Sequence, residues 1–251
     1  MNTIIYIACD NKNKELGHFF QSCHDKICAV ANKNKLNYKS LTTQQLTKKN
    51  INSHISSTNE CIFSAFSHGT NDSLLCGKTP YIEKDNVRNF YNSIFYTFAC
   101  YTANGLGKEL KHVRVAGYFG YNNRAWVIPC CENMFTECAI KGLISYMEGK
   151  TLKEAEADLI AEYDKHIKNL GINPISSYLL KNKQALVTII NDQTKPYDKH
   201  IKYFPNYIKS CLRTIMTSTL RKSDQLQIFS DNFPFCIYKD QHYQPIDNAI
   251  L

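Results

Sequence analysis

Two short stretches of this 251-residue sequence carry residues suited to nucleophilic chemistry: Ser67-His68-Gly69, which closes a compact apolar run at 61–66, and Cys100-Tyr101-Thr102, which closes another at 93–99. Acyl transfer by a cysteine needs a thiolate, an imidazole to manage protons, and N–H donors where the oxyanion develops. Cys100 offers the thiol and His68 the imidazole. Gly69 leaves room for a substrate carbonyl to approach the backbone, and its N–H with that of Cys100 is expected to donate to the oxyanion. The small residues after Cys100 predict a helix opening there, whose N-terminal N–H groups would favour the thiolate. Each residue alone is weak: a cysteine after an apolar strand is more often packing than catalysis. Because 32 positions separate His68 from Cys100, only the fold can bring them together.

The surrounding elements predict such a fold. Residues 3–9 are β-branched and apolar, a strand followed by a polar turn and an amphipathic helix over 15–32; 36–41 is a weaker strand, and 43–57 holds a short helix. The runs 61–66 and 93–99 have the aromatic-rich, unbroken apolar character of central parallel strands buried on both faces. Between them, 73–83 reads as a β-hairpin punctuated by Gly77 and Pro80, and 85–91 as a short helix. A strand is expected over 113–119 and a helix over 132–148. A second helix runs from the capping box of Thr151 and Glu154 to Gly171, and a last strand covers 185–190. This alternation predicts an α/β fold with a mostly parallel central sheet and helices on both faces, spanning 1–193. The ends of the strands at 66 and 99 then share one edge, where sites of open α/β sheets form. Residues 194–251 form a C-terminal extension, with a helix expected over 205–220 and a strand-like run over 225–238. The hexapeptide YDKHIK occurs at 163–168 and again at 197–202, too short to mark a structural repeat.

Composition narrows the function classes. With 43% hydrophobic and 21% charged residues the chain has material for a sizeable core, which excludes a disordered or fibrous protein. No apolar stretch approaches the roughly 18 residues of a membrane span, and the N-terminus lacks the marks of a secretory signal, so the sequence predicts a soluble, cytoplasmic protein with no membrane partner. Thirty basic against 22 acidic residues give a formal charge of +8, but the lysines are dispersed and the five arginines unclustered, a pattern that disfavours nucleic acid. Eleven cysteines without regular spacing or a C-x-x-C pair are expected as reduced thiols. Two groups merit a test for zinc: His24 and Cys28 with His18 and Cys23, and Cys130 with Cys131 and Cys138. Neither has finger spacing, and packed thiols are the simpler reading, so no metal or cofactor is expected.

An apolar run ending in His-Gly, then a hairpin, then an apolar run ending in Ala-Cys resembles the caspase-like cysteine peptidases of clan CD, and especially their bacterial CHAT-type members. The stretch GKTPYIEKDNVRNFYNSIFYTFACYTANGLGKEL, the strand VRVAGYFGY, and the helix YMEGKTLKEAEADLIAEYD followed by LLKNKQALVTIIND fall in the order such peptidases show, covering roughly 1–193. The resemblance implies a caspase-like three-layer sandwich and a Cys-His dyad. In it Cys100 matches the nucleophile, His68 the catalytic histidine and Gly69 the oxyanion-hole glycine. It also implies a protein substrate, an activator or regulatory protein, and a role in regulated or defence-linked proteolysis, and it leaves the oligomeric state open.

Strand alternation places Phe98 on the face of Cys100, as a wall beside the scissile bond, and Tyr118, Phe119 and Tyr121 add aromatic surface at the next strand end. An uncharged P1 residue such as Leu or Met is therefore expected in preference to Asp or Arg. Asp10 and Asp72, at the same edge, are candidates to orient His68 or line the cleft, with solvated turns as the plainer reading. His24, His54, His112, His166, His200 and His242 lie in polar contexts and receive no catalytic role. Segments 121–131 and 171–183 read as loops, open to cleavage during maturation. The competing reading is a catalytically silent peptidase-like scaffold or a basic module that binds nucleic acid or a partner; an amidase or transpeptidase would use the same dyad.

Overall fold

The computed structural model describes residues 3–55 and 60–191, together with the backbone of two short strands at 236–239 and 242–245. The chain divides into two compact units, Asn2–Lys199 and His200–Leu251 with Met1.

The larger unit is built on a six-stranded sheet. In chain order its elements are β1 (Ile4–Cys9), α1 (Gly17–Lys33), β2 (Tyr38–Thr42), α2 (Lys48–Ile55), β3 (Cys61–Phe66), β4 (His68–Gly69), β5 (Ser73–Cys76), β6 (Thr79–Glu83), β7 (Ile94–Phe98), α3 (Leu106–His112), β8 (Gly117–Tyr121), α4 (Glu132–Met147), α5 (Leu152–Leu170), α6 (Pro174–Ala185) and β9 (Leu186–Ile190). The strand order is β2-β1-β3-β7-β8-β9, parallel except for β9, which runs antiparallel to β8. Every residue of β3, β7 and β8 is buried, which is why these strands read as continuous apolar runs instead of alternating.

Alternate strand residues feed two separate cores. Ile5, Ile7, Ile62, Tyr96, Phe98 and Phe119 pack with α1, α4, α5 and α6, while Tyr6, Ala8, Phe63, Phe95 and Tyr118 pack with α2 and α3. Helices therefore cover both faces, as the alternation of elements predicts. The smaller antiparallel sheet β4-β5-β6 continues from the end of β3. Its tight turn holds Gly77 at φ 59°, a conformation that glycine adopts without the steric penalty of a Cβ.

The capping box at α5 forms as expected: Thr151 accepts from the Glu154 N–H at 3.2 Å, and the Glu154 carboxylate accepts from the Thr151 N–H at 2.8 Å. Gly171 ends the helix at φ 60°. Three expectations need correction. The strand expected over 113–119 starts only at Gly117, because α3 runs to His112 and Arg114 turns the chain at φ 59°. Residues 171–183 are not a loop: Asn173 caps α6 by accepting from the Ile175 N–H at 2.8 Å, and Pro174 supplies a preset φ at its first position. The helix expected directly after Cys100 starts only at Leu106, after a turn over 101–105.

In the smaller unit, β10 (Cys236–Lys239) and β11 (His242–Pro245) form an antiparallel hairpin, and β10 takes in the last residues of the expected strand-like run. The helix expected over 205–220 and the rest of that run lie outside the described residues.

Candidate active site

The parallel register of β3 and β7 ends at the pair Phe66–Phe98. His68 and Cys100 each follow the last paired residue of their strand by two positions, so both leave the sheet at the same edge. The chain then leaves the main sheet as β4, where His68 pairs with Leu75 and Gly69 with Leu74. Ser67 anchors this exit: its buried hydroxyl lies 2.8 Å from Tyr81 Oη of β6.

Gly69 is held directly against the Cys100 turn. A Cβ at position 69 would stand 2.7 Å from the Cys100 carbonyl oxygen, 2.7 Å from Thr102 Cγ2 and 2.9 Å from Ala99 Cβ. Only glycine fits this approach. The loops behind it are tied together: the Gly105 and Leu106 N–H groups donate to the Asn71 carbonyl at 3.1 and 2.6 Å, and Asn104 Nδ2 donates to Asn71 Oδ1 at 3.2 Å and to the Asn122 carbonyl at 2.9 Å.

The half-buried Cys100 thiol meets the loop after β8. Its Sγ accepts from the Ala125 N–H at 3.4 Å and lies 3.8 Å from the Ala125 carbonyl. Burial pushes the Cys100 thiol up from its ordinary value; the Ala125 backbone contact and the Arg124 charge pull it down without cancelling that effect. The resting group is therefore a thiol at neutral pH. The residue after it, Tyr101, sits at φ 62°, a left-handed conformation that costs a non-glycine residue roughly 1–2 kcal/mol. That turn is held by the Tyr101 N–H donating to the Asn123 carbonyl at 3.1 Å. Strain of this kind collects at functional sites, where surrounding contacts enforce it.

The half-buried His68 ring stands edge-on to Phe20 of α1, with centroids 5.8 Å apart and planes at 86°. Among the described residues, no group is hydrogen-bonded to its ring nitrogens. Asp10 does not orient it. The Asp10 carboxylate is buried and accepts from Thr43 Oγ1 at 3.0 Å and from the Gly77 N–H at 2.9 Å, which pins the β5–β6 turn to the end of β1. Asp72 stands against Gly105 at the start of α3.

The aromatic wall is placed differently from the expectation. Phe98, Tyr118 and Phe119 are each no more than 2% exposed. Phe98 packs its ring against Phe19 and Tyr121, Phe119 stacks near Tyr96, and Tyr118 donates its hydroxyl to Thr102 Oγ1 at 3.0 Å. These side chains, like Asp10, support the strand ends from within the core and present no surface to a substrate. Strand alternation gives the face of Phe98 correctly, but Tyr118 points to the opposite core, and both faces of this sheet are covered.

The side chains that do flank Cys100 are Tyr101, 38% exposed, and Arg124, whose guanidinium lies 4.4 Å over the Trp126 ring. The 122–131 loop bearing Arg124 and Trp126 is fixed to α6 by the buried Asn182: its Oδ1 accepts from the Trp126 N–H at 2.7 Å, and its Nδ2 donates to the Trp126 carbonyl at 2.8 Å. Sequence reasoning missed Arg124, Ala125 and Asn182. No local pattern marks them; the one usable signal was that the loop after the strand next to β7 must border the end of β7.

All nine cysteines of residues 3–191 are free thiols. His24, tested for zinc together with Cys28, instead places Nε2 2.7 Å from Ser40 Oγ and Nδ1 2.9 Å from Asp25. Among the described residues, one group of metal-ligating side chains converges, Glu137 with Glu162 and His166, and it includes neither Cys100 nor His68. No helix among the described residues is long and apolar enough to cross a membrane. No family model matches the chain, and no curated protein matches it.

Proposed function

We propose that the chain is a cysteine endopeptidase of the caspase-like kind, cutting protein substrates through a Cys100–His68 dyad. The observation that carries this reading is the close approach of Gly69, next to His68, to the Cys100 carbonyl beyond the ends of neighbouring parallel strands. The six-stranded, mostly parallel sheet with helices on both faces is the framework the resemblance implies.

In the proposed reaction the Cys100 thiol gives its proton to His68, and Sγ attacks the scissile carbonyl. The tetrahedral oxyanion is held by the N–H groups of Gly69 and Cys100. Collapse breaks the C–N bond, His68 delivers its proton to the leaving amine, and a thioester remains on Cys100. Water, deprotonated by His68, then hydrolyses the thioester and restores the thiol. Because burial raises the thiol, proton transfer to His68 accompanies the attack in this scheme.

An uncharged P1 residue remains the proposal, with a changed basis. Arg124, whose charge reaches the thiol, repels a lysine or arginine at P1, and the preference over aspartate, which that charge alone would attract, rests on the apolar surface of Trp126 beneath it. Mass-spectrometric cleavage mapping on a peptide library varied at P1 tests the reading, comparing the wild type with Cys100→Ala and His68→Ala. Cleavage after uncharged residues, abolished by Cys100→Ala and reduced about 100-fold or more by His68→Ala, is expected. Cleavage that survives Cys100→Ala, or comparable cleavage after arginine or aspartate, would overturn it.

A further inference from the structure

Away from the dyad, α4 and α5 bring three ligating side chains together. Glu162 and His166 are four residues apart on α5 and so share a face of that helix, and Glu137 reaches them from α4. His166 Nε2 lies 3.0 Å from Glu137 Oε2 and 3.1 Å from Glu162 Oε1. All three ligating atoms fall within 4.8 Å of one another.

His166 as a whole is only 9% exposed, and despite these short distances its Nε2 forms a hydrogen bond with neither carboxylate. Both oxygens sit within ion-pair range but outside hydrogen-bonding directions. With its proton on Nδ1 a neutral imidazole would set the Nε2 lone pair against two anionic oxygens, and a proton on Nε2 would be aimed at neither carboxylate, leaving a charged ring an ion pair without a hydrogen bond. A cation between the three groups satisfies all of them at once. Zinc bonds of about 2.0–2.2 Å to nitrogen and oxygen place tetrahedral ligands roughly 3.3–3.5 Å apart, a few tenths of an ångström beyond the two distances from His166 Nε2 to the carboxylates, which themselves lie within 4.8 Å of each other. One imidazole with two carboxylates favours a divalent transition metal over calcium or magnesium, which take all-oxygen shells.

We propose that Glu137, Glu162 and His166 bind one divalent transition-metal ion of the zinc type, clamping α4 to α5. The remaining coordination position is open. Glu137 and His166 line a groove of about 550 Å³ shared with His18, Cys130, Cys131 and Glu132. Lys165 Nζ, 2.7 Å from Glu162 Oε1, neutralises that carboxylate and would be displaced into water by the ion; its side chain is already more than half exposed.

The groove's thiols are the alternative seat for a metal, so the test separates the two. The reduced full chain is titrated with Zn2+ by calorimetry, alongside Glu137→Gln, His166→Gln and a Cys130→Ser/Cys131→Ser double variant, each first checked for a cooperative melt. The expected result is one ion per chain in the wild type and the double variant, with affinity lowered at least about tenfold by Glu137→Gln and by His166→Gln. Glu137 is half exposed and its glutamine is nearly isosteric, so that variant remains informative if His166→Gln fails to fold. Co2+ substitution adds a second readout: weak ligand-field bands without thiolate charge transfer are expected. No saturable uptake by the wild type, undiminished uptake by Glu137→Gln, loss of uptake in the double variant, or a thiolate band would each overturn the proposal.

Discussion

Gly69 has no room for a methyl group because the Cys100 carbonyl oxygen would lie 2.7 Å from it. That oxygen belongs to a turn fixed from two further sides, by the Tyr101 N–H bond to Asn123 and by the Ala103 N–H bond to the Tyr121 carbonyl at 3.0 Å. Relief must come from displacing β4 itself. Gly69→Ala is therefore expected to lower stability by about 1–3 kcal/mol, the usual range for overpacking. It also moves the N–H proposed to stabilise the oxyanion, so kcat for peptide cleavage should fall by roughly 100-fold or more with KM little changed. Urea melts and steady-state kinetics on the same preparation check both. A variant with wild-type stability and kcat would remove the glycine from both roles.

Arg124 acts on Cys100 through charge. Its positive field lowers the thiol pKa against the dominant effect of burial, so removing it leaves only the backbone contacts to oppose burial and less thiolate at a given pH. Arg124→Gln should slow alkylation of Cys100 by iodoacetamide near neutral pH by about two- to fivefold, as expected for an exposed charge. The difference should shrink as salt is raised, because screening weakens the field. In both proteins the rate should climb with pH to a midpoint above the ordinary thiol value. Peptide-resolved mass spectrometry separates Cys100 from the other cysteines. Equal rates in the two proteins at low salt would remove Arg124 from the site.

Asn182 holds the same loop mechanically. Fully buried, it closes a two-bond ring with the Trp126 N–H and carbonyl, and it joins α6 to the segment whose Ala125 touches the thiol. Asn182→Leu keeps the approximate volume and removes both bonds, leaving two backbone groups without these partners. A loss of about 2–4 kcal/mol is expected. Faster amide exchange at 123–127 should accompany it, with more rapid alkylation of Cys100 as the loop opens. Hydrogen exchange read by mass spectrometry tests this, and unchanged protection of that segment would show that the loop is held by other contacts.

What could be read in the sequence follows from how local each cause is. β3 and β7 were legible because strands covered on both faces must be apolar throughout, and the helix opened by Thr151 because a capping box is a four-residue signal. The helix after Asn173 was hidden: two of its four buried positions, Ser176 and Asn182, are polar, so hydrophobic periodicity fades although cap and proline stand in the right places. His68, Gly69 and Cys100 could be named because each ends a strong strand. Ala125, Arg124 and Asn182 could not, because tertiary packing alone brings them to the thiol. His166 was set aside for its polar context, yet it is the packing of α4 on α5 that buries it between two carboxylates.

The many buried thiols carry a consequence for alkaline stability. Burial pushes Cys9 up to about 12 and Cys28 and Cys76 up to about 11, and it raises Cys23 as well. In the unfolded chain each titrates near the ordinary thiol value of about 8.5. Between that value and the raised one the folded state retains protons that the unfolded state has lost, so stability is full below about pH 8 and falls as pH rises. Each such thiol can contribute a slope of up to about 1.4 kcal/mol per pH unit through that window. The buried tyrosines Tyr81, Tyr118 and Tyr121 are also shifted upward by burial and act in the same direction at higher pH. Urea melts under reducing conditions should show the unfolding free energy decline steadily above about pH 8.5, and Cys9→Ala should have a shallower decline than the wild type. A free energy that is flat to pH 10, or a slope that Cys9→Ala leaves unchanged, would mean that these thiols ionise in the folded state as readily as in the unfolded chain, and that the end of β1 is open to water.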